Sequence, residues 1–133
     1  MSNVSQPYPP PGLEWWTKKE PVLVKPSEVK SIVPPKHTNT SSFPLIRTEN
    51  LEAFITEIRP GGVAEPDVHP ISEHAFFVLS GRGKWVIDGK EYLLEPGMFI
   101  WMPPGANHET ITVGDETLRI FVLFAPSRMK EKK

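Results

Sequence analysis

Between Gly62 and His108 the chain gathers three of its four histidines and several carboxylates, the residue types that bind a divalent metal. Neutral imidazoles and ionised carboxylates suit Mn, Fe, Co, Ni, Cu or Zn when three or four of them converge. Asp67 and His69 stand two apart, so on an extended strand both side chains leave from one face. His74 follows a proline-containing bend and His108 follows the Pro104-Gly105 turn. Four candidate donors therefore arrive on three segments, and a pocket of antiparallel strands can bring them to one ion. A histidine read alone is more often hydrogen-bonded or solvated than a ligand, but three at flanking turn-strand junctions weigh toward metal. Glu57, Glu73 and Glu109 are available to hold the second ring nitrogens.

The elements that must position these donors are short strands. Phe43 to Arg47 and Leu51 to Ile58 read as strands, the second ending at Arg59-Pro60-Gly61-Gly62. Ala75 to Ser80 is an apolar run stopped by Gly81. Lys84 to Ile87 and Lys90 to Leu94 flank Asp88-Gly89, the strongest short-range hairpin signal. Met98 to Met102, His108 to Val113 and Thr117 to Ala125 complete the set, and no segment has helical periodicity. Short strands at this spacing predict an all-β sandwich or barrel. Rolling the sheet up removes exposed edges and leaves room for one ligand.

Three segments follow from composition: an extended arm over 1–41, a barrel over 42–126 and a charged, frayed tail over 127–133. Residues 1–44 hold nine of the sixteen prolines, and proline lacks the N–H that helices and central strands use. The arm also carries Tyr8, Leu13, Trp15, Trp16, Val22, Leu23 and Val24, which need a cover. That cover is its own domain or a second subunit, and a homodimer is the reading adopted. His37, in a Pro, Lys, Thr, Asn and Ser setting, reads as solvated.

With 133 residues, a formal charge of −1 and no cysteine, the chain is one domain without a basic field for nucleic acid, a disulfide, or a thiol nucleophile. No apolar run is long enough to span a membrane and the N-terminus lacks the pattern of a signal peptide, so the expected location is cytoplasmic.

The spacing Gly62, Asp67-x-His69, His74, Gly81 resembles the first motif of the cupin superfamily, and Gly97, Pro103-x-Gly105-x-x-His108 resembles its second. The resemblance covers about residues 54–125. It implies a double-stranded β-helix, or jelly-roll barrel, with a metal held by Asp67, His69, His74 and His108. Asp67 stands where the first motif usually has histidine, His74 where it has glutamate, and Thr112 where the second motif has asparagine. Three imidazoles and one carboxylate are retained with their places exchanged. The run is similar to manganese-dependent ureidoglycine aminohydrolases and to small four-histidine manganese cupins. The aminohydrolases end their ligand set with glutamine where this chain has His108, and they have one residue fewer before the position of His74, so their substrate does not carry over.

The function expected is therefore that of a metal-dependent enzyme acting on a small polar metabolite, as a dioxygenase, lyase or aminohydrolase. The alternatives are a non-catalytic sensor cupin and a barrel with structural histidines and no metal. Mn(II) or Fe(II) come first, and Ni(II) or Zn(II) are accommodated. Phe76, Val78, Phe99 and Trp101 are the expected apolar wall of the pocket. Glu57, Glu73 and Tyr92 are candidates for proton transfer, and Arg47, Arg59 and Arg119 for holding a substrate carboxylate.

Overall fold

Turns divide the chain where their backbone geometry demands it. At Asp88-Gly89 both residues have positive φ, 49° and 85°, the mirror-image turn whose twist matches a right-handed hairpin. The computed structural model describes residues 20–128, so Tyr8, Leu13, Trp15 and Trp16 of the arm and residues 129–133 of the tail lie outside the described residues. The strands are β1 (His37–Arg47), β2 (Glu52–Val68), β3 (Glu73–Ser80), β4 (Arg82–Ile87), β5 (Lys90–Leu94), β6 (Phe99–Met102), β7 (Asn107–Val113) and β8 (Leu118–Ala125). Among the described residues there is no α-helix, only a short 3-10 turn at Pro26–Glu28. No helix there is long and apolar enough to cross a membrane.

All strand pairings among the described residues are antiparallel. One sheet runs β5-β4-β7-β2-β8-β3-β6, with β1 added on β2, and it curls into a nearly closed barrel. β3 to β8 begin and end within about two residues of the sequence expectation, the usual uncertainty of strand ends.

β2 departs from it. The sequence ends this strand at Pro60-Gly61-Gly62, yet β2 continues to Val68. Residues 59–62 bulge out opposite Asn39, since Thr40 faces Ile58 while Thr38 faces Val63. Gly61 takes φ of +83°, and a Cβ on Gly62 would lie 2.7 Å from both Ile58 and the Thr38 carbonyl. The glycines thus mark a bend where two backbones approach closely, and Pro60 sits where the ladder is already interrupted. Before the bend β2 pairs with β8, and after it with β7. β1 likewise starts at His37, ahead of the boundary expected at 42.

Register sets the inner face. Cross-strand partners place Arg47, Glu52, Phe124, His74 and Met102 in one row and Pro44, Phe54, Val122, Phe76 and Ile100 in the next. β8 alternates strictly, with Leu118, Ile120, Val122 and Phe124 buried. These residues join Phe54, Ile58, Phe76, Val78 and Trp85 in one core. Fully burying a side chain of this size contributes roughly 1.5–3 kcal/mol, so the inward row of β8 is a large part of what holds the barrel shut.

Candidate metal centre

His74 opens β3, and strand alternation turns it inward beside Phe124, its partner on β8. His108 opens β7 opposite Asp67 on β2. Its neighbour Asn107 is pinned by mutual bonds with Asp88, from Asn107 N–H to Asp88 Oδ1 at 2.9 Å and from Asp88 N–H to the Asn107 carbonyl at 2.8 Å. His69 follows β2, and its carbonyl accepts the Gly105 N–H at 2.8 Å, which ties it to the loop leading into His108. The three rings lie 5.4 Å (His69 to His74), 5.3 Å (His69 to His108) and 4.9 Å (His74 to His108) apart by centroid. One ligand nitrogen from each falls within 4.8 Å of the others.

The chemistry of this group fits a cation. His74 is buried and neither of its ring nitrogens has a hydrogen-bond partner, an arrangement that costs free energy unless something accepts the lone pair. Its orientation is fixed instead by rings: it stacks on Phe124 at 3.9 Å and tilts against Phe76 at 4.3 Å. Burial, then the neighbouring His108 and His69, hold its pKa well below the ordinary value. Burial, followed by His69, pushes His108 down to about 4. Both imidazoles are therefore neutral near pH 7, the form that ligates. His108 Nδ1 lies 3.5 Å from the Ala106 carbonyl, a long contact that favours Nε2 as the ligand atom.

Asp67 stands at the edge of the cluster rather than within it. Its Oδ2 is 3.8 Å from His69 Nε2, while Oδ1 faces Lys36 Nζ at 3.4 Å and accepts the Val68 N–H at 2.9 Å. The group that the described residues bring together is three imidazoles, with the carboxylate beside it.

Next to the cluster is a cavity of about 260 Å³. Phe54, Phe76, Ile120, Val122 and Phe124 make its walls, and Phe76 is thus where the sequence put it. Val78 points inward as parity requires but lies in the solid core, fully buried and off the cavity. Phe99 and Trp101 belong on the outside, 63% and 51% exposed, because β6 pairs them with Phe77 and Ala75 on the outer face of β3. The proton-transfer candidates are also displaced from the cavity. Glu57 pairs with Arg119 at 3.1 Å, Glu73 accepts the Trp101 indole N–H at 2.9 Å, and Tyr92 has Lys90 5.3 Å from its ring. None of the three lines the cavity. The proposed carboxylate holders do not reach it either: Arg47 is an ion partner of Glu52 at 2.9 Å, and Arg59 donates to Ser41 Oγ at 3.1 Å.

Residues passed over in the sequence line the cavity instead. His37, expected to be solvated, is part of its wall, and its Nδ1 bonds the Pro35 carbonyl at 2.7 Å. Burial lowers its pKa in spite of that bond. Arg128, assigned to a frayed tail, also borders the cavity. Ser42 and Thr56 form a buried hydroxyl pair at 2.9 Å on the same wall. The signal for Ser42 was the period-two pattern of β1, which a run of threonine and serine hides; His37, five residues earlier, reaches the same cavity only because the register shifts between Thr38 and Thr40.

A curled antiparallel sheet with an apolar cavity and an imidazole cluster at one end defines a small β-barrel of the jelly-roll kind. The family model described as a cupin domain matches residues 54–124, more than half of the chain, and the chain belongs to the cupin family. An uncharacterised protein of Aquifex aeolicus (strain VF5) is 26% identical over 112 residues, 80% of this chain and 90% of that protein. Among solved structures, the polyketide cyclase RemF from Streptomyces resistomycificus is similar at 26% identity with a TM-score of 0.70, covering 79% of each chain. A predicted oxalate decarboxylase from Thermotoga maritima shares the fold at 16% identity and a TM-score of 0.72, covering 78% of this chain and 98% of that one.

Proposed function

We propose that this cupin is a divalent-metal-dependent enzyme acting on a small metabolite, with His69, His74 and His108 as ligands. The observation that carries the reading is the orphaned, buried His74 within a three-imidazole group whose ligand atoms lie within 4.8 Å of one another. Asp67 completes the set by turning from Lys36, a pair whose side chains are 50% and 40% exposed and so is weakly held. Mn(II) or Fe(II) suits this donor set, and Ni(II) or Zn(II) is accommodated. A bound ion supplies Lewis acidity, lowering the pKa of water or polarising a carbonyl, or carries oxygen chemistry.

The chain's own residues do the rest. Phe76 and Phe124 fix the His74 ring, and with Phe54 they keep water from the cavity walls. His37, held by Pro35 through Nδ1, has Nε2 available as an acceptor and is the cavity residue best suited to take a proton from a substrate. A likeness to a polyketide cyclase and to a predicted oxalate decarboxylase, by their names, fits small-molecule turnover on this fold. A homodimer and a cytoplasmic location belong to the same proposal, and sedimentation equilibrium and cell fractionation read them directly.

The test is to purify the protein, quantify bound metal, reload it with Mn(II) or Fe(II), and follow oxygen uptake and hydrolysis with small carboxylates and ureides. Stoichiometric metal with turnover supports the proposal. Metal without turnover favours a ligand-binding sensor, and no metal above trace with no turnover removes the metal-dependent enzyme.

A further inference from the structure

Beyond Phe124 the cavity reaches a guanidinium. Glu52, fully buried at the inner-face position next to Phe124, gathers several donors. The Arg128 backbone N–H bonds its Oε1 at 2.9 Å, Arg128 Nε the same oxygen at 2.8 Å, and Arg128 Nη2 its Oε2 at 3.4 Å. Arg47 Nε lies 2.9 Å from Oε2. Two bonds to a carboxylate that cannot move fix the plane of the Arg128 fork. They hold its Cζ 4.0 Å from the Phe124 ring centre and 5.3 Å from that of Phe54. Phe124 in turn stacks on His74, so guanidinium, phenyl ring and imidazole form a continuous bank along one side of the cavity. The Arg128 charge is felt across it, lowering the pKa of both His74 and His37.

The segment that brings Arg128 there is itself tied down. Ser127 is buried and its N–H bonds the Glu49 carbonyl at 3.1 Å, while Ser72 Oγ donates to the Pro126 carbonyl at 2.8 Å. Arg128 nonetheless keeps 27% of its side chain exposed and borders the cavity. An immobilised cation beside a row of aromatic rings is a preorganised anion site.

Resting on the reading of the three histidines as a centre for small-molecule chemistry, we infer that the cavity selects a monocarboxylate on a flat apolar body. The carboxylate lies on Arg128 and the body between Phe54, Phe76 and Phe124. A dianion such as a phosphate ester is disfavoured. Its desolvation needs several donors, whereas this guanidinium is already shared with Glu52, and Glu65 and Asp67 line the same cavity. At about 260 Å³, the space lies below the roughly 300–1,000 Å³ of typical ligand pockets, which suits a single ring or a short branched chain.

The experiment uses the full-length protein freed of metal with a chelator, so that binding on Arg128 is read apart from any ion. Benzoate, benzamide and phenyl phosphate are titrated by calorimetry. Benzoate is expected to bind at least about tenfold more tightly than benzamide, its neutral isostere, as a charge-assisted pair requires, and phenyl phosphate no more tightly than benzamide. Arg128→Gln brings benzoate to the benzamide level. Equal binding of benzoate and benzamide by the wild-type chain, which needs no variant to fold, overturns the inference. So does tighter binding of phenyl phosphate than of benzoate, or a benzoate preference that persists in folded Arg128→Gln protein. A benzoate preference in a protein that then takes up no metal leaves this inference standing while the metal reading falls.

Discussion

The two ends of the barrel are built from the same strands and differ in what those strands point inward. At the closed end Ile58, Val78, Trp85 and Leu118 are buried to 1% exposure or less and pack on one another. At the open end the inward His74, His108 and Thr110 line a cavity, with the ion-paired Glu52 buried beside Phe124. One end contributes stability through apolar burial. The other gives some of it up, since the buried His74 ring, whose nitrogens have no hydrogen-bond partner, opposes folding until a ligand arrives.

The closed end gives the largest expected effect. Trp85→Ala removes a fully buried ring and is expected to cost about 3–5 kcal/mol, read as a fall in the denaturant midpoint. A loss below about 1 kcal/mol would mean that end is not the stabilising one.

Acid tests the open end. The His108 pKa falls from its ordinary 6.5 to about 4 on folding, so between these values the unfolded chain binds the proton that the folded chain does not. The stability of metal-free protein should therefore be highest above pH 6.5 and decline as pH is lowered toward 4, by about 3 kcal/mol for this one group. A flat midpoint over that range would show the imidazole to be solvated.

His74→Leu separates the two roles at a single position. It should weaken metal binding at least about 100-fold, about 2.7 kcal/mol, while leaving the metal-free protein as stable or more so, because an unpartnered buried polar group is replaced by an apolar one. A large loss of metal-free stability would assign the ring a structural task. The smallest effect is on the outer face, where Glu57→Gln breaks a partly exposed pair with Arg119 and should change stability by less than about 1 kcal/mol and leave metal content unaltered.

Much of the fold was written in local chemistry. Asp88-Gly89 specified its own hairpin, and the apolar alternation of Thr117 to Ala125 specified the inward row of β8. The histidines were legible by type and spacing, since His69, His74 and His108 do meet. Other features were set by long-range pairing. Whether Trp101 faces in or out depends on which residue of β3 it opposes, and no local pattern states that. Pro60-Gly61-Gly62 reads as a strand end because the same residues terminate strands elsewhere; only contact with Thr38 and Ile58 makes them a bend. Arg128 was hidden because its place is decided by Glu52, seventy-six positions earlier in the chain.

That bend makes β2 behave like a clutch between the wall of the barrel and its mouth. Ile58 and Val63 keep their own partners on β1, Thr40 and Thr38, while Asp67 keeps His108 on β7, so the residues between Ile58 and Val63 stand outside the ladder. A residue gained or lost within 59–62 should change the reach of the bend, while the pairing beyond it decides which way Asp67 faces and where His69 is carried.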